Sequence, residues 1–269
     1  MEQIYEIVFN NDLTFGDLCF RGQADASWKI WPSIFRHYER YQALFHENFI
    51  MKHIQEGFRA PYLFNFDPME QLMILQHFSV PTRLLDWSND ILVALFFACE
   101  NPDVDGALYF LDKRQFKMYQ FANKNNLALR DPLSPANQAY YESRLENSEL
   151  MVVCSYIGSP RMRAQSVCFL LWTRTGLNDN KYSFDLESYV TTKKMHAPKK
   201  LLIAKEAKKG ILQILKNHFG IDSSSLYVSN ENIRVAEYVY AELHRVAGHN
   251  TIYVTGDPRP EFLIPDPGV

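Results

Sequence analysis

Pro81 followed by Thr82-Arg83-Leu84-Leu85-Asp86-Trp87 and then Ser88-Asn89-Asp90 dictates a strand-to-helix corner. Proline bars helix just upstream, and the β-branched and aromatic residues around the segment favour extended backbone. Three consecutive good N-caps then open an apolar helix from Ile91 to Cys99. An Arg and an Asp inside an apolar run need partners, because burying an unpaired charge is costly. α/β proteins place ligands at corners of this kind. The strongest constraint on the fold and the strongest pointer to function therefore fall in the same six residues.

The chain has 269 residues, 47% apolar and 14% aromatic, enough for a sizeable core in a single large domain. A net charge of −3 argues against a uniformly basic face for nucleic acid. Cys19, Cys99, Cys154 and Cys168 are far apart and form no CxxC pair, which reads as free thiols in a reducing compartment and no metal site. No apolar run approaches the roughly 20 residues that span a bilayer, and the N-terminus lacks a signal-peptide pattern. The expected location is cytoplasmic, with no membrane partner.

Alternation over Thr14–Phe20 predicts a strand ending at Arg21-Gly22. Phe45, Phe49, Ile50, Ile54 and Phe58 predict an amphipathic helix over 41–58. Asp67-Pro68-Met69-Glu70 is a helix start leading to Phe78. Further strands are expected at Ala107–Leu111, Val152–Ile157, Val167–Trp172 and Leu201–Ala204, with a helix over 206–219 ended by Gly220 and a last helix over 230–245. Residues 112–149 are polar and aperiodic, an insertion in a single domain spanning 1–249. Residues 250–269 form a C-terminal strand and a Pro-rich tail.

Arg21 beside Gly22 sits at a strand end, where backbone can approach a ligand and a guanidinium can match phosphate or carboxylate oxygens bidentately. The competing assignment is an internal pair with Asp86 or Glu47. Asp86 and Arg83 equally fit one internal salt-bridge network. His77 at a helix end can cap carbonyls, Gln165 can satisfy a strand's backbone, and Trp28, Trp31 and Trp87 fit a core. Lys193-Lys194 and Lys199-Lys200 read as a solvated face. The signature motifs of P-loop, Rossmann, α/β-hydrolase and zinc-protease chemistry do not occur.

Phe20-Arg21-Gly22-Gln23, the stretch Trp28 to Arg36, Gln76-His77 with Pro81 to Trp87, Ala94 to Ala98, and Arg161 to Phe169 resemble, in order and spacing, successive motifs of the FRG domain family. Phe219-Gly220-Ile221 with its serine loop and final helix extends the resemblance over about 15–245. That family occurs in bacteria and their phages, and the chain is similar, more distantly and by fold-level analogy, to the ADP-ribosyltransferase superfamily. The superfamily's sites place an Arg or His on an early strand, a middle motif on another strand, and an acidic or amide residue near a late strand. Arg21, the Thr82 to Trp87 segment and Gln165 take those places.

The resemblance implies an α+β fold with a central, largely antiparallel sheet and packed helices. It also implies NAD as substrate, with no metal, in a toxin or anti-phage effector that acts as an NAD glycohydrolase or ADP-ribosyltransferase. Asp86, His77 and Gln165 are then the catalytic candidates, and Arg21, Gly22, Gln23, Arg83 and Trp87 the dinucleotide-binding ones. Asp86 would stabilise an oxocarbenium-like ribose as the nicotinamide bond breaks. Gln165, an amide, cannot act as a base, and this departs from transferases with a catalytic Glu. A protein target or antitoxin is the implied partner. The alternative is a non-catalytic module that binds a nucleotide or phosphorylated ligand and signals through a protein partner.

Overall fold

The computed structural model describes residues 14–37, 47, 68–77, 81–119, 150–154, 160–172 and 185–227. Its strands are β1 (Leu18–Gln23), β2 (Leu84–Ser88), β3 (Gly106–Asp112), β4 (Lys117–Met118), β5 (Leu150–Cys154), β6 (Val167–Trp172) and β7 (Lys199–Ile203). They form one seven-stranded sheet in the order β4-β5-β6-β2-β1-β3-β7, antiparallel except for the parallel β4–β5 pair. The helices are α1 (Ile34–His37), α2 (Pro68–His77), α3 (Ile91–Ala98), α4 (Pro160–Ala164), α5 (Leu186–Thr192), α6 (Lys205–Phe219) and α7 (Ser223–Leu226). The architecture is α+β.

Both faces of the sheet are covered over its inner strands, which is why β3, β5 and β6 read as near-continuous apolar runs, while the edge strands β4 and β7 are largely exposed. On the front face, Cys19, Leu85, Trp87, Tyr109, Val152, Leu170 and Trp172 pack with Ile30, Ile34 and Phe35 and with Leu186, Tyr189 and Val190 of α5. The back face is divided. Met69, Leu72 and Met73 of α2 cover Leu84, Met151, Val153, Phe169 and Leu171, while Ala94 and Ala98 of α3 cover Leu18, Phe20, Leu108, Phe110 and Ile203. Leu215 of α6 packs in turn against Val93 and Phe96 of α3.

Two glycines let α3 lie on the sheet. A Cβ at Gly22 would stand 1.9 Å from the Ala94 carbonyl oxygen and 2.5 Å from the Ala98 nitrogen, and one at Gly106 would stand 2.1 Å from the Ala98 carbonyl oxygen. These obstacles are helix backbone and have nowhere to move. Asp90 caps α3 by accepting from the Leu92 amide at 2.8 Å. Gly220 ends α6 in the left-handed region at φ 66°.

Lys208, on α6, is fully buried. Its ammonium donates to the carbonyls of Ala24 at 2.8 Å and Asn101 at 2.7 Å, joining the turn after β1 to the turn after α3. Burial lowers its pKa from the usual lysine value.

The first strand differs from expectation. Phe15–Asp17 is a 3-10 turn, because the Asp17 carboxylate accepts from both the amide and the hydroxyl of Thr14, and β1 then runs on through Gln23. The strand expected at Val152–Ile157 starts two residues earlier, as Leu150–Cys154, with 155–157 outside the described residues, and that expected at Leu201–Ala204 is Lys199–Ile203. Helix α5 was not foreseen. Of the expected 41–58 helix only Glu47 is described; residues 120–149, the 230–245 helix and the 250–269 tail lie outside the described residues. Cys154 and Cys168, distant in sequence, stand directly opposite each other across β5 and β6 as free thiols. No helix among the described residues is long and apolar enough to cross a membrane.

Gly22→Ala should destabilise the protein by the upper end of the about 1–3 kcal/mol that overpacking costs, or more, since the clash is with backbone. Gly210→Ala, where a Cβ meets nothing within 4 Å, should be neutral or stabilising. Thermal melts of the two variants check the contrast.

Candidate functional site

β1 and β2 are neighbours at the middle of the sheet, yet they share one registered pair, Phe20 with Ser88. Each is fully engaged on its other side: β1 with β3 from Leu18–Asp112 to Gln23–Ala107, and β2 with β6 from Leu84–Leu171 to Ser88–Val167. The ladder between them thus stops one step before Arg21 and Trp87. The Asp86 carbonyl, which a β1 amide would meet if pairing continued, accepts instead from Arg21 Nη1 at 2.6 Å. A half-buried guanidinium takes the place of a backbone donor at this break.

The Asp86 side chain is exposed. Its Oδ2 accepts from Gln76 Nε2 at 2.7 Å, Gln76 Oε1 accepts from the Thr82 hydroxyl at 2.6 Å, and Thr82 Oγ1 accepts from the Leu84 amide at 3.1 Å. α2 therefore orients the carboxylate through an amide that is itself fixed. His77 is the last residue of α2, one position beyond Gln76, and its side chain lies outside what the structure describes.

Arg83 does not pair with Asp86. Its Nε lies 2.7 Å from Glu47 Oε2, with both side chains 4% exposed, and its amide donates to Glu47 Oε1 at 3.1 Å. The charge at the start of the corner is neutralised by an internal partner, so the network joining Arg83 to Asp86 is replaced by a buried Arg83–Glu47 pair. Arg21, for its part, meets the main chain of Asp86 and not its carboxylate.

Gln165 lies in the turn between α4 and β6. Its Nε2 donates to the Leu226 carbonyl at 3.1 Å and its own carbonyl accepts from the Ser88 hydroxyl at 2.8 Å. The same turn holds Ser166 in the left-handed region at φ 47°, its carbonyl accepting from the amide and side chain of Asn89. The Gln165 side chain thus ties the corner's partner strand to α7. Tyr227 continues this join, donating to Glu100 Oε1 and lying under Arg161, whose guanidinium carbon is 4.9 Å from the ring centroid.

Pleating sorts the remaining candidates. Arg21, Gln23 and Trp87 belong to the front face, in step with Cys19 and Leu85, whereas Asp86 and Gly22 belong to the back. The close approach that Gly22 permits is that of the α3 backbone. Gln23 is buried and donates from Nε2 to the Lys29 carbonyl at 3.2 Å. Trp87 is buried in the front core. The sequence passed over Gln76 as a partner, Glu47 as the counterion of Arg83, and Tyr109 and Lys200 as the neighbours of Arg21 across β3 and β7. Among the described residues no group of three or more His, Cys, Asp or Glu is arranged to hold a metal.

Glu47→Gln should cost about 3–5 kcal/mol by leaving a buried cation unpaired. Asp86→Asn, exposed and still able to accept from Gln76, should change stability by no more than about 0.5 kcal/mol. Denaturant unfolding of both variants separates the structural charge from the available one.

No curated protein and no solved structure matches the chain. Residues 16–106, a stretch that holds Arg21, His77, Asp86 and α3 and stops short of Gln165, match the family model of the FRG domain.

Proposed function

We propose that the chain takes NAD at the break between β1 and β2 and cleaves its nicotinamide–ribose bond, passing ADP-ribose to water or to an acceptor in the manner of the ADP-ribosyltransferase superfamily. The observation that carries this reading is the sheet order. Arg21 lies on β1, Asp86 on β2 and Gln165 in the turn that leads into β6, and these three strands are consecutive neighbours in the sheet; Arg21 and Asp86 join where the ladder fails.

The chemistry follows from the side chains. Departure of nicotinamide leaves positive charge on the ribose, and an exposed carboxylate already oriented by Gln76 stabilises that charge without reorganising. A planar guanidinium at the break suits the pyrophosphate. His77, next to Gln76, is the candidate partner for a ribose hydroxyl, and Arg83 is spent on Glu47. Gln165 offers an amide bonded to Leu226, so the reading favours water over an acceptor that a base must activate. Such an enzyme suits a toxin or anti-phage effector that depletes NAD and is held in check by a protein partner.

A second reading, a nucleotide-binding module without turnover, draws on the pleat, which sends Arg21 and the Asp86 carboxylate to opposite faces.

Incubation of the purified protein with NAD should release nicotinamide. Asp86→Asn should retain NAD binding by calorimetry while turnover falls about 10²–10³-fold. Arg21→Ala should weaken binding at least about tenfold. Binding without nicotinamide release supports the second reading, and absence of both overturns each.

A further inference from the structure

Arg21 is part of a row that crosses the front of the sheet. Register places it opposite Tyr109 on β3, and Tyr109 opposite Lys200 on β7, so the three side chains rise from one face in adjacent strands. The Lys200 ammonium stands 5.4 Å from the Tyr109 ring centroid and donates to the Ala26 carbonyl at 2.8 Å. No described carboxylate lies within ion-pair distance of it. Burial pushes the Tyr109 phenol above its ordinary value, while Lys200 and Arg21 pull the other way. A buried aromatic ring thus lies between two cations, one half-buried and one at the surface.

Two buried polar atoms flank Arg21 on this same face. Gln23 Oε1, an acceptor on a side chain 2% exposed, and Trp87 Nε1, a donor on a side chain 3% exposed, have no hydrogen-bond partner among the described residues. Folded proteins leave few buried polar atoms without a partner. Gln23 lies two positions along β1 from Arg21, and Trp87 is one step from the Phe20–Ser88 pair on β2. Two cations on one face, with an unmet donor and an unmet acceptor beside Arg21, match a phosphoryl group attached to a polar organic body. They do not match an apolar ligand or a metal.

We propose that Arg21 and Lys200, on the front face either side of the buried Tyr109 ring, form the phosphate subsite for the nucleotide, with Lys200 as its second cation. This rests on the reading that the chain takes a phosphorylated nucleotide, and it adds residues from β3 and β7 to a site otherwise built from β1 and β2. Lys199 supplies an internal control. It adjoins Lys200 on the same strand, is equally a surface lysine, and by strand alternation belongs to the opposite face, paired with Phe110.

The test is calorimetry with ADP-ribose and with inorganic pyrophosphate, on the full chain and on Lys200→Gln, Lys199→Gln and Arg21→Ala, with thermal melts alongside. The expected result is that Lys200→Gln weakens ADP-ribose binding at least about fivefold and reduces its salt dependence, with an unchanged melt, while Lys199→Gln leaves both untouched. Equal losses in the two lysine variants would mean a general surface field and overturn the subsite, as would loss with Arg21→Ala and none with Lys200→Gln. Pyrophosphate bound in the same Lys200-dependent way as ADP-ribose assigns the site to the phosphates themselves and supports the proposal. Lys200-dependent binding of ADP-ribose without nicotinamide release from NAD removes the catalytic reading and leaves the subsite standing. Failure of the unmodified chain to bind either probe overturns both.

Discussion

The seat of α3 on Gly22 and Gly106 is the contact on which the site's geometry depends. With helix backbone where two side chains would be, β1 and β3 are held flat against α3, and the front-face residues between those glycines are fixed in direction. Arg21 cannot swing to the helix side, because its neighbour Gly22 has given that side to Ala94 and Ala98. Its guanidinium is left to reach along the sheet plane, and it finds the Asp86 carbonyl. The close packing on one face thus aims the cation on the other. This is a tertiary determinant, and a tally of local propensities would not contain it.

Charges near the corner divide into two kinds. Arg83 and Glu47 sit together out of water, an arrangement strongly sensitive to loss of either partner but nearly silent toward a ligand. Asp86, only three residues from Arg83, is exposed and fixed from outside the strand by α2. A strand segment alternating inward and outward delivers these neighbours to different surroundings, and the contrast separates stabilising charge from charge left in contact with solvent.

Much of this was legible in the residues themselves. Pro81, the apolar run and Asp90 specified α3 to within a residue and β2 to within two, because proline chemistry and capping are local rules. The strand at Val167–Trp172 and the helix closed by Gly220 were clear for the same reason. Partnership was not. Glu47 lies 36 positions before Arg83, and Lys200 lies far beyond Tyr109 on a strand whose pattern reads as solvated lysines. Sheet order and register bring them together, and neither is encoded in any short window. The early end of β1–β2 pairing likewise leaves no mark in composition, since Arg21 and Trp87 would serve in an ordinary ladder.

The reach of Lys208 has a consequence for what counts as a unit in this chain. Its ammonium satisfies Ala24 and Asn101, both inside the stretch 16–106, from a helix about a hundred residues further on. β2 similarly takes its full ladder from β6, and β1 from β3, which begins at the last matched residue. On a ribosome the 16–106 stretch would emerge with open strand edges and two buried carbonyls lacking their donor, and would stay so until α6 had been made. The boundary drawn by the family match and the boundary drawn by folding are therefore different lines. Anything that engages the nascent chain during that interval meets β2 with an open edge.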